Sequence, residues 1–405
     1  MHNTRPRIAV VTHAYPSAAE PHRGLPVYHH VLALASLAEI EVFCITPVYP
    51  KARWLQPRSF GHSRSTSASP STALPVRFVE YPVFPVLSRP FNGFNCAARL
   101  TSALCGTRPD LIFACFAYPD GHAAVLAGKR LGVPVIIEPM GSDLRRVNTF
   151  WQRRFVSQTL RQSAFVVPVS EDLTRYAIQF GASPERVRTI RRGCHTSIFH
   201  LADRQTARIH LQVREDAELI VFVGRLVEVK GLRELFEALP PLMAARPALE
   251  LACIGGGPLE QELRSCAVRS GIAGRVRFLG GLEPRSVAQW LTASNLLCLP
   301  SHSEGFPNVI MEALSCGRAV VASNVGGIPE IVDHTCGILT PPQDAAQLAE
   351  ALSAGLDRAW DEEWIAAKFS RSWEDSAREI YDVCLQVLEE QGWSSGRVSN
   401  RVARV

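Results

Sequence analysis

Short apolar runs rich in β-branched residues alternate with longer helix-period segments along nearly the whole chain, and this alternation constrains the fold more than any other feature. It is the pattern of parallel sheets covered by helices. A first array predicts strands at residues 7–13, 40–46, 76–81, 110–115, 133–138 and 164–169, with helices at 26–38, 119–131 and 171–180. A second predicts strands at 219–223, 249–254, 275–279, 295–299 and 318–321, each followed by a helix pattern. Two such sheets, packed face to face, leave a cleft at the carboxyl ends of their strands, where open α/β sheets bind ligands.

The polar segment 201–205 separates the arrays, which gives an N-terminal domain over 1–200 and a C-terminal domain over 201–372. Residues 373–390 carry apolar side chains at Ala377, Ile380, Tyr381, Cys384, Leu385 and Leu388, the spacing of one helix face, and are expected to bridge the domains. The polar tail 391–405 is expected to fray. Residues 58–75, dense in Ser, Thr and Pro, read as an exposed loop.

At 405 residues, 47% hydrophobic and 20% charged, the chain has material for two cores. Its net charge of +5 comes without blocks of Lys and Arg, which speaks against a nucleic-acid partner. Eleven scattered cysteines with no C-x-x-C pair read as reduced thiols. The apolar run after Arg7 is too brief for a signal-peptide core, and no stretch approaches 18 consecutive apolar residues. The expectation is a cytoplasmic protein whose membrane contact, if present, is peripheral.

The densest cluster of candidate site residues is Pro300-Ser301-His302-Ser303-Glu304-Gly305-Phe306-Pro307-Asn308-Val309-Ile310-Met311-Glu312. It follows a strand and runs into a helix. Pro307 suits the first helical turn and leaves the Asn308 and Val309 amides free to point at an anion such as a phosphate. Glu312 lies roughly 6 Å along the helix from Asn308, and Glu304 lies before it. Carboxylates beside a diphosphate repel it, so their sensible partners are hydroxyls of a sugar and a ribose. A second cluster, Gly224-Arg225-Leu226-Val227-Glu228-Val229-Lys230-Gly231, places two cations at another strand end, suited to neutralising a leaving diphosphate. Gly255-Gly256-Gly257-Pro258 reads as a tight turn.

In this order, G-R-L-x(3)-K-G, G-G-G-P, E-G-F-P-N-V-I-M-E-A and the run from Gly317 to Glu330, the second half resembles the family 4 retaining glycosyltransferases. Weaker echoes are Val169-Ser170-Glu171-Asp172-Leu173, Gly181-Ala182 and the stretch from Gly193 to Phe199. The resemblance implies an α/β fold of two Rossmann-like domains facing across a cleft (GT-B), transfer with retention, no cofactor and no essential metal. No D-x-D pair occurs in the chain. Carried over by motif, Arg225 and Lys230 hold the diphosphate, Glu304 the donor sugar and Glu312 the ribose. Gly224, Phe306, Pro307, Asn308 and Val309 complete the donor site, the stretch from Gly327 to Glu330 borders it, and Gly24 stands in the family's glycine-rich loop. A UDP-sugar is the expected donor.

On the acceptor side, Met140 replaces a histidine found in many relatives. His122 and Asp143 are candidates to orient an acceptor hydroxyl, with a helix-cap role for Asp120 and Asp143 as the competing reading. Tyr118-Pro119-Asp120-Gly121 and Gly141-Ser142-Asp143-Leu144 are similar to segments of enzymes that assemble bacterial cell-surface polysaccharides, which implies a saccharide or lipid-linked acceptor at the inner face of the plasma membrane. Arg145, Arg146, Arg153, Arg154 and Arg161, interleaved with Phe150, Trp151, Phe155 and Val156, read either as a patch for anionic lipid or as a solvated helix with a buried aromatic face. Two rival readings are a same-fold epimerase or hydrolase of sugar nucleotides and, in a different class, a non-catalytic sugar-nucleotide-binding protein.

Overall fold

The computed structural model describes residues 5–18, 20, 23–49, 74–83 and 91–393. Most of the loop expected at 58–75 and the tail from 394 onward lie outside them. The chain divides into two compact units, Met1–Arg191 with Trp373–Val405, and Arg192–Ser372.

The first unit contains β1 (Arg7–Thr12), α1 (Leu25–Leu34), β2 (Glu39–Val48), β3 (Val76–Pro82), α2 (Asn92–Cys105), β4 (Leu111–Cys115), α3 (His122–Leu131), β5 (Val135–Glu138), α4 (Ser142–Arg145), α5 (Phe150–Gln162), β6 (Phe165–Val166) and α6 (Glu171–Gln179). Its sheet runs β3-β2-β1-β4-β5-β6, all pairs parallel, with Val10 opposite Val42 on one side and Phe113 on the other. Strands flanked on both sides and covered on both faces must be apolar throughout, and Val10, Val42 and Phe113 are almost wholly buried.

The second unit contains α7 (Arg204–Leu211), β7 (Glu218–Val223), α8 (Leu232–Ala245), β8 (Leu249–Ile254), α9 (Glu260–Arg269), β9 (Val276–Gly280), α10 (Pro284–Ala293), β10 (Leu296–Leu299), α11 (Asn308–Ser315), β11 (Ala319–Ser323), β12 (Gly337–Thr340), α12 (Ala345–Asp357) and α13 (Glu362–Phe369). Its parallel sheet runs β12-β11-β10-β7-β8-β9. Strand β12, which the sequence pattern does not announce, extends the sheet beside β11.

Read from the appropriate end, both sheets have the order 3-2-1-4-5-6 of the doubly wound dinucleotide fold. Each is Rossmann-like. In such a sheet the chain reverses its direction of travel once, and the loops after the two central strands part to leave a crevice. That point lies between β1 and β4 in the first unit and between β7 and β10 in the second.

The final helix, α14 (Trp373–Glu390), returns to the first unit and packs on α1. Its buried face of Ala377, Ile380, Val383, Cys384, Val387 and Leu388 joins Val27, Val31 and Leu34 in one core. Each fully buried side chain of this size contributes about 1.5–3 kcal/mol. Among the described residues no helix is long and apolar enough to cross a membrane.

Candidate active site

The switch point of the second unit gathers both sequence clusters. The loop after β7 carries Gly224, Arg225 and Lys230, and the loop after β10 carries Glu304, Phe306 and Pro307. They meet closely because Gly231 has φ +66°, and a Cβ there would stand 1.8 Å from the Pro300 carbonyl oxygen. Only glycine allows that approach. Lys230 Nζ lies 2.5 Å from Glu304 Oε1, which also accepts the Ser301 hydroxyl at 2.7 Å. Glu304 Oε2 has no hydrogen-bond partner among the described residues, which suits a ligand hydroxyl. Arg225, in the same loop as Lys230, is exposed and makes no ion pair among the described residues.

Helix α11 starts one residue later than the sequence suggests, at Asn308, with Pro307 as its N-cap. The Asn308 and Val309 amides therefore open the helix, where the backbone dipole favours an anion. Asn308 Oδ1 is buried without a partner among the described residues. One turn on, burial pushes the Glu312 carboxyl up to about 7. Nearby, His302 Nε2 lies 2.9 Å from Glu234 Oε1. The glycines at 255–257 brace the site from behind, with Leu226 N–H donating to the Gly256 carbonyl and Leu259 N–H to the Leu226 carbonyl.

The corresponding loops of the first unit line two cavities. One lies among His13, Tyr15, Arg23, Thr46, Phe78 and Glu80, and the other among His13, Phe116, Tyr118, Asp143, Arg146 and Gln152. Gly24, with φ +65°, ends the β1–α1 loop so close to it that a Cβ would stand 2.1 Å from the Ala14 carbonyl oxygen. Asp143 borders the second cavity, but its carboxylate accepts the backbone N–H groups of Ala117, Met140 and Gly141 at 2.6, 3.1 and 2.9 Å. It thereby ties the β4 loop to the β5 loop. His122 lines neither cavity. It is buried against Phe94 and Phe155, with Nδ1 3.1 Å from the Thr159 hydroxyl, and burial lowers its pKa to about 4.

Sequence reasoning missed His13. It follows β1 directly, and its Nδ1 lies 2.9 Å from both carboxylate oxygens of Asp120, which sits after β4 and is fully buried. The His13 backbone N–H also donates to Asp120 Oδ2 at 2.7 Å. These partners are 107 positions apart, so no local motif joins them.

The aromatic and arginine segment resolves into separate parts. Arg145 pairs with Asp172 and lies over Tyr176, and Arg153 lies over Phe180. Arg146 and Arg154 make no ion pair among the described residues. Phe150 and Trp151 are 72% and 46% exposed at the start of α5, and Trp151 extends an aromatic cluster through Phe91 and Phe155. No group of three or more His, Cys, Asp or Glu residues placed to hold a metal ion is found among the described residues.

Comparison with known proteins decides the family. Residues 9–193 match the model of the glycosyl transferase 4-like domain and residues 217–358 that of the glycosyl transferases group 1. The chain belongs to the group 1, family 4-like glycosyltransferases. Among its relatives is TuaC of Bacillus subtilis, a glycosyltransferase named for teichuronic acid biosynthesis, 27% identical across 86% of this chain and 88% of that one. The D-inositol 3-phosphate glycosyltransferase of a Nocardioides species is 29% identical over 73% of this chain and 74% of its own. Among solved structures, HepE of Anabaena, crystallised with UDP and glucose, aligns over 96% of this chain and 98% of its own, with TM-score 0.67 and 20% identity. A glycosyltransferase of Rickettsia africae aligns over 96% and 99%, with TM-score 0.71 and 14% identity. The fold is that of a GT-B glycosyltransferase, and both clusters of the second unit fall inside the matched group 1 region.

Proposed function

We propose that this glycosyltransferase moves a sugar from a UDP-sugar, with retention of anomeric configuration, to a saccharide or lipid-linked saccharide in cell-surface polysaccharide assembly. The observation that carries the reading is the convergence of Arg225, the Lys230–Glu304 pair, the α11 amides and Glu312 at one switch point. HepE, of the same fold, holds UDP and glucose, and TuaC is named for teichuronic acid biosynthesis; both agree with this choice of donor and pathway class.

In the proposed mechanism the diphosphate leaves toward Arg225 and Lys230, the acceptor oxygen enters on the same face, and the acceptor hydroxyl proton passes to an oxygen of the departing diphosphate. Stabilisation of the departing charge supplies most of the acceleration, without a metal or other cofactor. Glu304 accepts donor-sugar hydroxyls and Glu312 the ribose hydroxyls. The cavity lined by Tyr118, Arg146 and Gln152 is our choice for the acceptor, because α5 presents Phe150 and Trp151 on its outside. Exposed aromatics beside Arg146 and Arg154 suit a peripheral contact with anionic lipid at the cytoplasmic face of the plasma membrane.

The test is incubation with a panel of nucleotide-sugars, with and without polyprenyl-linked saccharides, reading released nucleotide and the anomeric configuration of the product by NMR. Acceptor-dependent release of UDP with retention is expected. An inverted product overturns the mechanism, turnover without acceptor favours an epimerase or hydrolase, and binding without turnover favours a sensor.

A further inference from the structure

The two units share one strand order, and each carries a hydrogen-bonded pair of polar side chains across its switch point: Lys230 with Glu304 between β7 and β10, and His13 with Asp120 between β1 and β4. The first pair belongs to the donor. The second has no assigned task, and its geometry is that of a working side chain rather than of a buried brace.

Asp120 has no exposed surface, whereas about a third of the His13 side chain is exposed (34%). A carboxylate only accepts hydrogen bonds, so Nδ1 of His13 must carry the hydrogen that Asp120 receives. In the neutral ring this leaves Nε2 as an acceptor on the side away from Asp120. His13 lines both cavities of the unit. The ring is held from a third direction by Phe116, whose centroid lies 4.4 Å away and whose backbone adopts φ +80°. That conformation is costly for a bulky residue and is retained where the surrounding structure imposes it, often at functional sites. It is imposed here by the Phe116 N–H bond to the Glu138 carbonyl and by Asp143, which accepts the very next amide, that of Ala117.

We propose that His13 binds the acceptor: Nε2 accepts a hydrogen bond from the acceptor hydroxyl and aligns that oxygen for attack, while Asp120 acts as the positioning residue that fixes the ring and its tautomer. This rests on the transferase reading given above and supplies the acceptor contact that Met140, an apolar side chain, does not. Protonated His13 has no acceptor nitrogen, so the interaction is lost at low pH. The charged groups facing the ring are Asp120 after β4, Asp143 in α4, Arg23 before α1, and Glu20, Glu80 and Arg146 in the cavity walls. Burial lowers the His13 pKa, but the carboxylates, Asp120 foremost, leave it raised above that of a free histidine. Transfer is therefore expected to fall on the acid side at a higher pH than a free imidazole dictates.

The experiment uses the full chain, UDP-glucose and a polyprenyl-diphosphate-linked saccharide. His13→Gln is expected to lower kcat/KM for the acceptor by about 10²-fold or more while leaving UDP-glucose affinity, measured by calorimetry, within about twofold. Asp120→Asn keeps an oxygen for the His13 amide and removes the charge. It is expected to move the acidic limb of the rate profile down by about one pH unit. A pair that merely braces the loops would lower Tm in both variants without moving that limb. Wild-type transfer with an unaltered limb in Asp120→Asn, or with undiminished acceptor kcat/KM in His13→Gln, overturns this proposal alone. A wild-type chain that binds no UDP-glucose, or binds it and transfers to no acceptor, overturns the transferase reading and this proposal with it.

Discussion

Lys230 and Glu312 hold ionisable groups in opposite situations. Lys230 is paired at 2.5 Å and in the proposed mechanism faces the leaving diphosphate, so Lys230→Ala should cost about 10²–10³ in kcat, and Arg225→Ala a similar factor, as steady-state kinetics would show. Glu312 instead has its carboxyl raised from 4.5 to about 7 by burial. A raised carboxyl destabilises the fold only where the unfolded chain would ionise it: the penalty is absent below about pH 4.5, grows between there and pH 7, and is complete above. Glu312→Gln should therefore be more stable than wild type at pH 8, by about 3 kcal/mol at most, and equal to it at pH 4 in urea titrations. If ribose hydroxyls need the ionised form, UDP-sugar affinity should rise from pH 5 to pH 8 in wild type and stay level in Glu312→Gln. These candidates could be named from the sequence because each cluster is contiguous and follows a strand. His13 was not, because only the fold brings it to Asp120, and His122, the more conspicuous histidine, is enclosed by Phe94 and Phe155.

At the scale of elements, the proposed donor site depends on two loops meeting at Gly231. An alanine there meets both a positive φ and the Pro300 carbonyl, at a cost of about 1–3 kcal/mol for the dihedral alone. Gly231→Ala should lower the melting temperature and weaken UDP-sugar binding together, whereas Gly271→Ala, with the same sign of φ but nothing within 4 Å, should lower stability only. Calorimetry of the two variants separates the effects. The strands bordering the switch points were readable because buried parallel strands are apolar runs with β-branched residues. β12 was not, since Gly337-Ile338-Leu339-Thr340 is too short to carry a period. Helix α1 stops at Leu34 rather than near residue 38, where the chain turns into β2.

For the whole molecule, the repeated alternation made two α/β halves visible, but it could not show that the chain returns to its first half. Periodicity marks the buried face of α14 without naming what covers it. The core contains that face together with Val27, Val31 and Leu34 of α1. A chain ending at Ser372 should keep the second unit folded, with UDP-sugar binding detectable, while the first unit loses its cooperative transition and the protein becomes prone to aggregate. Circular dichroism melts and light scattering would report both.

The return of α14 also bears on how the protein is made. Domains usually complete themselves in order as the ribosome releases them. Here the unit begun first lacks a wall until α14 emerges, by which time Arg192–Ser372 has all of its sequence outside. A nascent chain should thus carry an exposed α1 face throughout most of its synthesis, and a premature stop anywhere upstream of Trp373 would leave that face open for chaperones or proteases to recognise.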